Sequence, residues 1–268
     1  MLSRITLCRW TLPWLCAGSV LAGPHCPQTP VRVDFLEFGV FYKSTRNAMG
    51  TGIDRDLVDE LSKRSGCSFD GKVQARARTW LELKAGNVDM TTSGVRTEER
   101  EAFFWFLPYH RTHHVVLLGS AAPPSVNTLA EFEANPTLKV GVVRGFKHSS
   151  FYDPLIAKWA QAGRVIEHVD EALLMGALQR GEVAAVVSSA GVYHLYTNAE
   201  TGPHKLRVMD WDPGNMQVIG NLVLSKARFD QAEATKWGLL LKDMQRDGSL
   251  LRIFRKYVSA EEAQSMLP

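Results

Sequence analysis

The stretch Gly86-Asn87-Val88-Asp89-Met90-Thr91-Thr92-Ser93-Gly94-Val95-Arg96-Thr97-Glu98-Glu99-Arg100 concentrates groups that could grip a small molecule. Its apolar start reads as a strand, hydroxyl residues and a glycine end it, and a capped helical turn then carries Arg100. Backbone N–H groups, the Ser93 hydroxyl beside Gly94 and a guanidinium would converge on one spot. That combination suits a planar carboxylate held by a bidentate arginine. A second reading has Arg100 paired on the surface with Glu98, Glu99 or Glu101, and residue chemistry alone does not separate the two.

Other groupings offer less. His110 and His113 stand three apart on loop or strand, with His114 next to them, and no carboxylate falls in register. They read as solvated histidines rather than metal ligands. Ala48-Met49-Gly50-Thr51-Gly52 lacks the third glycine and the preceding strand of a dinucleotide fingerprint, so it reads as a turn and no cofactor is expected.

The elements that would position these groups follow a repeated pattern. Val31 to Phe35 alternates like a strand, and Gly52 to Gly66 reads as a helix, capped by Asp54 and ended by Gly66, with Leu57 and Leu61 on one face. Thr79-Trp80-Leu81-Glu82 has capping-box spacing and predicts a second helix from Thr79 to Gly86. Strand Val88 to Thr91 follows. From Leu138 the unit recurs: strand to Val143, helix to about Ala162, strand Val165 to Val169, helix Asp170 to Arg180 and strand Val183 to Val187. Strands alternating with helices imply parallel sheets covered on both faces. Ala121-Ala122-Pro123-Pro124-Ser125 breaks the chain after the strand-like His114 to Leu118. A second strand-like piece, Leu222 to Leu224, leads into helices Asp230 to Arg246 and Ser249 to Tyr257. The expected organisation is two α/β lobes joined by two crossovers: residues 23–118 in lobe 1, 119–220 in lobe 2, and 221–268 returning to lobe 1.

The 268 residues are 45% hydrophobic and 22% charged, which excludes disorder, collagen and a polytopic membrane protein. Residues 1–22 carry only Arg4 and Arg9 as charges and then an apolar run to Ala22, shorter than the roughly 20 residues that span a bilayer. They read as a signal peptide cleaved after Ala22, in preference to an uncleaved anchor. Removing it leaves the chain close to neutral, without a basic run for nucleic acid. It also leaves two of the four cysteines, Cys26 and Cys67, expected as a disulfide in an oxidising compartment.

The chain resembles the family 3 extracellular solute-binding proteins, the periplasmic amino-acid receptors of ABC importers. The matching residues are Gly52-Ile53-Asp54-Arg55-Asp56-Leu57, Leu83 to Asp89, Thr97-Glu98-Glu99-Arg100, Pro108-Tyr109, Val140-Gly141-Val142-Val143-Arg144-Gly145 and Asp247-Gly248-Ser249-Leu250-Leu251-Arg252-Ile253. The resemblance implies a two-lobed α/β clamp of type II topology that closes on a ligand by hinge motion. It implies a monomer, in the periplasm, with an inner-membrane ABC permease as partner and a small carboxylate-bearing ligand. Arg100 would bind the ligand carboxylate. Phe38 and Tyr42, after the first strand, would flank it, with lobe core as the alternative for each. Arg78 and Trp80 fall near the cleft in the same comparison, with surface or core as their alternatives.

Departures from the family pattern bear on the ligand. Where amino-acid receptors place a second-lobe carboxylate against the ligand ammonium, this chain offers Ser189, which supplies no charge. Glu37 is a possible replacement. Lys147 stands where a threonine is usual, and an added cation suits a second carboxylate or a phosphate. The competing function is an enzyme on the same scaffold, similar to periplasmic cyclohexadienyl dehydratases. It would need a general acid in the cleft, for which Glu37 and His148 are the candidates. No acid and base stand at a recognisable spacing, so a non-enzymatic binder is the preferred expectation.

Overall fold

The structure, a computed structural model, describes residues 23–45, 48–189, 191–193 and 206–268. The expected signal peptide lies outside the described residues. The architecture is a two-lobed α/β clamp. Its strands follow the order β4 (Phe69–Val73), β1 (Val31–Phe35), β5 (Met90–Val95), β11 (Gln217–Ser225), β6 (Phe104–Leu118), β9 (Ala185–Ser189), β7 (Val140–Val143) and β8 (Val165–His168), with β10 (Arg207–Met209) added on β6.

In lobe 1, β1 (Val31–Phe35) lies between β4 (Phe69–Val73) and β5 (Met90–Val95), parallel to both. Flanked on both edges and covered on both faces, β1 buries even Asp34. A small hairpin, β2 (Lys43–Thr45) with β3 (Ala48–Thr51), precedes α1 (Ile53–Ser65). Helix α1 ends at left-handed Gly66 as its sequence indicates. Its start differs: Gly52 at φ 131° is the N-cap, and a Cβ there would lie 2.3 Å from the Phe41 carbonyl oxygen. Asp54 is consequently inside the first turn and buried, free for another task. Helix α2 (Arg76–Ala85) begins three residues before the expected Thr79. Extended Ala75 opens it, and the Thr79 hydroxyl bonds back to the Ala75 carbonyl at 3.4 Å. The capping box forms elsewhere, between Thr128 and Glu131 at the start of α4 (Leu129–Glu133).

Two long strands join the lobes. The first, β6 (Phe104–Leu118), follows the single turn α3 (Glu98–Glu101), and the second is β11 (Gln217–Ser225). They run antiparallel to each other, and β11 is also antiparallel to β5. Over His114 to Leu118, β6 changes partner to β9 (Ala185–Ser189), again antiparallel. The mostly parallel sheets expected from the alternating pattern are thus joined at the centre by antiparallel strands. Beyond it, β9, β7 (Val140–Val143) and β8 (Val165–His168) are parallel, and the short β10 (Arg207–Met209) pairs with β6. Helices α5 (Tyr152–Gln161) and α6 (Glu171–Gln179) cover this sheet, with Asp170 capping α6.

Helices α7 (Gln231–Arg246), α8 (Ser249–Phe254) and α9 (Ala260–Ser265) return to lobe 1, where Trp237 and Phe254 share a core with Val31, Phe35 and Leu57. A separate core in lobe 2 is built around Phe132, Trp159 and Trp211. Cys26 and Cys67 form a disulfide that ties the N-terminal segment to the end of α1. No described helix is long and apolar enough to cross a membrane.

Candidate functional site

Between the lobes lies a narrow cleft with a cavity volume of about 60 Å³. Its lobe 1 wall includes an irregularity within β5, where Ser93 takes φ 51°, a conformation unusual for a residue with a side chain. A buried network holds it there. Its N–H donates to the Tyr109 hydroxyl at 3.0 Å, and its hydroxyl donates to Asp54 Oδ2 at 2.9 Å. Tyr109 also donates to Asp54. Burial pushes the Asp54 carboxyl up to about 6, while hydrogen bonds from Tyr109, Thr92 and Ser93 pull the other way. Asp54 therefore anchors the wall of the site rather than capping α1.

Thr97 caps α3 through the Arg100 N–H at 3.3 Å, and this turn aims the guanidinium into the cleft. Arg100 Nη1 donates to the Val95 carbonyl at 2.9 Å and Nη2 to the Gly145 carbonyl, on lobe 2, at 2.8 Å. Its Cζ lies 4.0 Å from the Trp80 ring centroid, a cation–π contact. Burial, and then the nearby Arg76 charge, lower its pKa to about 10. Pairing with Glu98, Glu99 or Glu101 is not observed; Glu101 pairs with Arg96 instead.

Trp80 joins the lobes as well. Its Nε1 donates to the same Gly145 carbonyl at 3.3 Å, so one lobe 2 oxygen receives two lobe 1 donors. Gly145, at φ +82°, permits the approach, since a Cβ there would sit 3.1 Å from the Ala77 backbone. Phe38 lines the cleft and meets Phe146 edge-on across it at 5.5 Å. Lys147 is exposed at the rim. Ser189 and its neighbour Ser188 line the far wall, both buried, and neither hydroxyl has a hydrogen-bond partner among the described residues.

Four expected site residues are placed elsewhere. Tyr42 stacks on Phe35 at 4.5 Å in the lobe 1 core. The turn at Gly39, where a Cβ would lie 2.4 Å from the Gly191 carbonyl, sends Phe38 rather than Tyr42 to the cleft. Glu37 accepts from the Ser44 N–H at 3.0 Å and braces that turn. Arg78 is exposed and pairs with Glu82 on its own helix at 2.8 Å. Gly94 is buried against β11, where a Cβ would lie 2.4 Å from Val223 Cγ2; its role is close packing.

Arg76 is the cleft residue that sequence reasoning missed. It is 3% exposed and donates to Thr91 Oγ1 at 3.2 Å and to the Thr92 carbonyl at 3.1 Å. Burial lowers its pKa to about 10, opposed mainly by the Asp54 charge. The signal was present: starting α2 at Arg76 puts Arg76, Thr79, Trp80 and Leu83 on one face and turns Arg78 outward. Also absent from the expected site were His110 and His114, both buried in the cleft wall. Burial takes His110 down to about 3 and His114 well below its ordinary range, so both are neutral at pH 7. Among the described residues no group of three His, Cys, Asp or Glu side chains could hold a metal ion.

The bacterial extracellular solute-binding proteins, family 3, match this sequence over residues 32–260. The chain belongs to that family. No curated protein matches it in sequence. Solved structures that share the fold of this family 3 protein include the arginine-, lysine-, histidine-binding protein ArtJ from Geobacillus stearothermophilus, at 20% identity and a TM-score of 0.73, covering 88% of this chain and 100% of that one. An ancestral arginine-binding protein bound to arginine matches at 23% identity and TM-score 0.71, over 86% of this chain and 98% of the other. The ancestral amino acid-binding protein AncCDT-1, a precursor of cyclohexadienyl dehydratase, matches at 19% and 0.71, over 85% and 95%. At such identities these likenesses establish the fold of the family 3 clamp and leave its ligand to the chemistry of its own cleft.

Proposed function

We propose that this protein is a periplasmic binding protein that captures a small carboxylate-bearing ligand between its lobes and presents the closed clamp to an ABC permease. It acts as a monomer and without a cofactor. The observation that carries this reading is Arg100, whose half-buried guanidinium faces the cleft and is met by two backbone carbonyls and no carboxylate. A charged group so placed gains most from an anion arriving in the cleft, because a bidentate carboxylate replaces neutral acceptors with charge-assisted bonds. Membership of an extracellular solute-binding family supports the location and the transport role.

The test is calorimetry of the chain from residue 23 onward with amino acids and mono- and dicarboxylates, repeated with Arg100→Met. Binding that is lost in the variant without a fall in melting temperature is the expected result. Unchanged affinity in Arg100→Met removes the basis of the reading. One observation keeps the dehydratase alternative in view: His148 lines the cleft with its Nδ1 3.5 Å from Asp153, a possible acid with an orienting carboxylate. Turnover of prephenate or arogenate, lost in His148→Gln, would replace binding by catalysis.

A further inference from the structure

Arg76 has no task in carboxylate capture by Arg100. Moving a guanidinium out of water carries a large desolvation penalty, and the neutral Thr91 hydroxyl and Thr92 carbonyl offset only part of it. The half-buried Arg32 and Arg64 each reach a carboxylate at 2.8 Å, whereas buried Arg164 donates to the Leu138, Phe132 and Asn135 carbonyls, three acceptors against the two of Arg76. Arg76 has an attractive Asp54 charge in its vicinity but no ion pair with it. It also sits beside a like charge, since Arg76 and Arg100 lie 5.8 and 4.0 Å from the same Trp80 ring centroid. The Arg76 charge makes the Arg100 guanidinium harder to keep charged, and negative charge arriving in the cleft relieves it.

The rest of the cleft agrees. Its lining holds three cations, Arg76, Arg100 and the rim Lys147, against one carboxylate, Glu171 at the start of α6. His110 and His114 add no charge at neutral pH because burial keeps them unprotonated. On the far wall the hydroxyls of Ser188 and Ser189 have no hydrogen-bond partner among the described residues and supply no charge to hold a ligand ammonium. Phe38, Phe146 and Trp80 supply apolar faces in the same lining.

We propose that the ligand is a dianionic organic acid without an ammonium group, one carboxylate bound by Arg100 and the second by Arg76, with an apolar frame between Phe38, Phe146 and Trp80. This rests on the capture of a carboxylate ligand proposed above, and it names the class. Arg76 is then a specificity residue: it selects dicarboxylates over monocarboxylates and repels cationic ligands.

The experiment compares glutarate and isophthalate with monomethyl glutarate and benzoate, and with L-glutamate, L-arginine and inorganic phosphate, by calorimetry on the chain from residue 23. The expected result is that a dicarboxylate binds about 30- to 100-fold more tightly than its monoanionic counterpart. In Arg76→Met that ratio falls to about 1, while affinity for the monoanion stays within about twofold. Arg76→Lys restores part of the selectivity. A merely structural arginine would weaken both classes alike, which overturns the proposal. If Arg76→Met does not fold, the dianion-to-monoanion ratio of the unaltered chain decides. Equal affinities, tighter binding of an amino acid or of phosphate, or no dicarboxylate binding at about 10 mM overturn it. An amino acid bound in an Arg100-dependent way would leave carboxylate capture standing while this inference falls. Dicarboxylate binding indifferent to Arg100→Met would remove both.

Discussion

Replacing Trp80 separates two contacts that hold the closed clamp and its arginine. The indole ring lies 4.0 Å from Arg100 Cζ, and its Nε1 donates across the cleft to the Gly145 carbonyl at 3.3 Å. The first contact fixes the guanidinium where a carboxylate can reach it and is worth about 0.5 to 2 kcal/mol. The second is a neutral hydrogen bond between lobes, worth about 0.5 to 1.5 kcal/mol. Trp80→Phe keeps an aromatic face and loses the donor, so affinity for glutarate should fall about 2- to 10-fold. Trp80→Leu loses both contacts, about 1 to 3.5 kcal/mol together, and should weaken binding about 5- to 370-fold. The ring also packs against Phe104 at 5.3 Å, so melting temperatures must be read beside the calorimetry to separate binding from stability. The decisive comparison is between the variants. If Trp80→Leu binds within about twofold of the unaltered protein, neither contact positions Arg100 and the account of the closed clamp is wrong.

Two further outcomes follow from the same geometry. The Cys26–Cys67 bridge spans 41 residues, for which the loop-entropy relation gives about 4 kcal/mol. The double variant Cys26→Ser/Cys67→Ser should therefore melt about 8 to 16 °C lower in scanning calorimetry, and a drop of under about 2 °C would show that the bridge constrains little. The Asp54 carboxyl, raised by burial from 3.8 to about 6, is harder to ionise in the folded chain than in the unfolded one. Its contribution to stability is full below about pH 3.8 and is lost as pH rises through about 6, a change of about 3 kcal/mol. Subtracting urea-unfolding energies of Asp54→Asn from those of the parent should leave this pH-dependent difference between pH 4 and 7; a flat difference would contradict the buried, strained carboxylate.

Elements with strong local signals were legible in the sequence. The C-terminal end of α1 at Gly66, the Thr97-capped turn under Arg100 and the Asp170 cap of α6 each depend on residues within a few positions of one another. Local side chains satisfy local backbone groups, so the pattern survives without knowledge of the rest of the fold. The start of α2 did not follow this rule. Thr79 and Glu82 have capping-box spacing, yet the chain leaves β4 directly into a helix at Arg76, where Gln74 is already tied to β1 through the Phe35 carbonyl at 2.9 Å. Three residues of helix phase exchanged Arg78 for Arg76 in the cleft.

The sequence by itself therefore determined the α/β alternation, the arginine turn and the cysteine pair, because periodicity, capping and residue counting are properties of neighbouring residues. Tertiary structure alone decided the antiparallel β6–β11 pair, the choice of Phe38 over Tyr42, the burial of Asp54 behind Ser93, and the entry of Arg76 into the site. Each of those outcomes depends on segments far apart in the chain: β11 meeting β6, the Gly191 carbonyl crowding Gly39, and Tyr109 reaching Asp54 across 55 residues. Desolvation does the rest, since the same arginine is a solvated surface charge on one face of a helix and, one face round, a buried cation that calls for an anion.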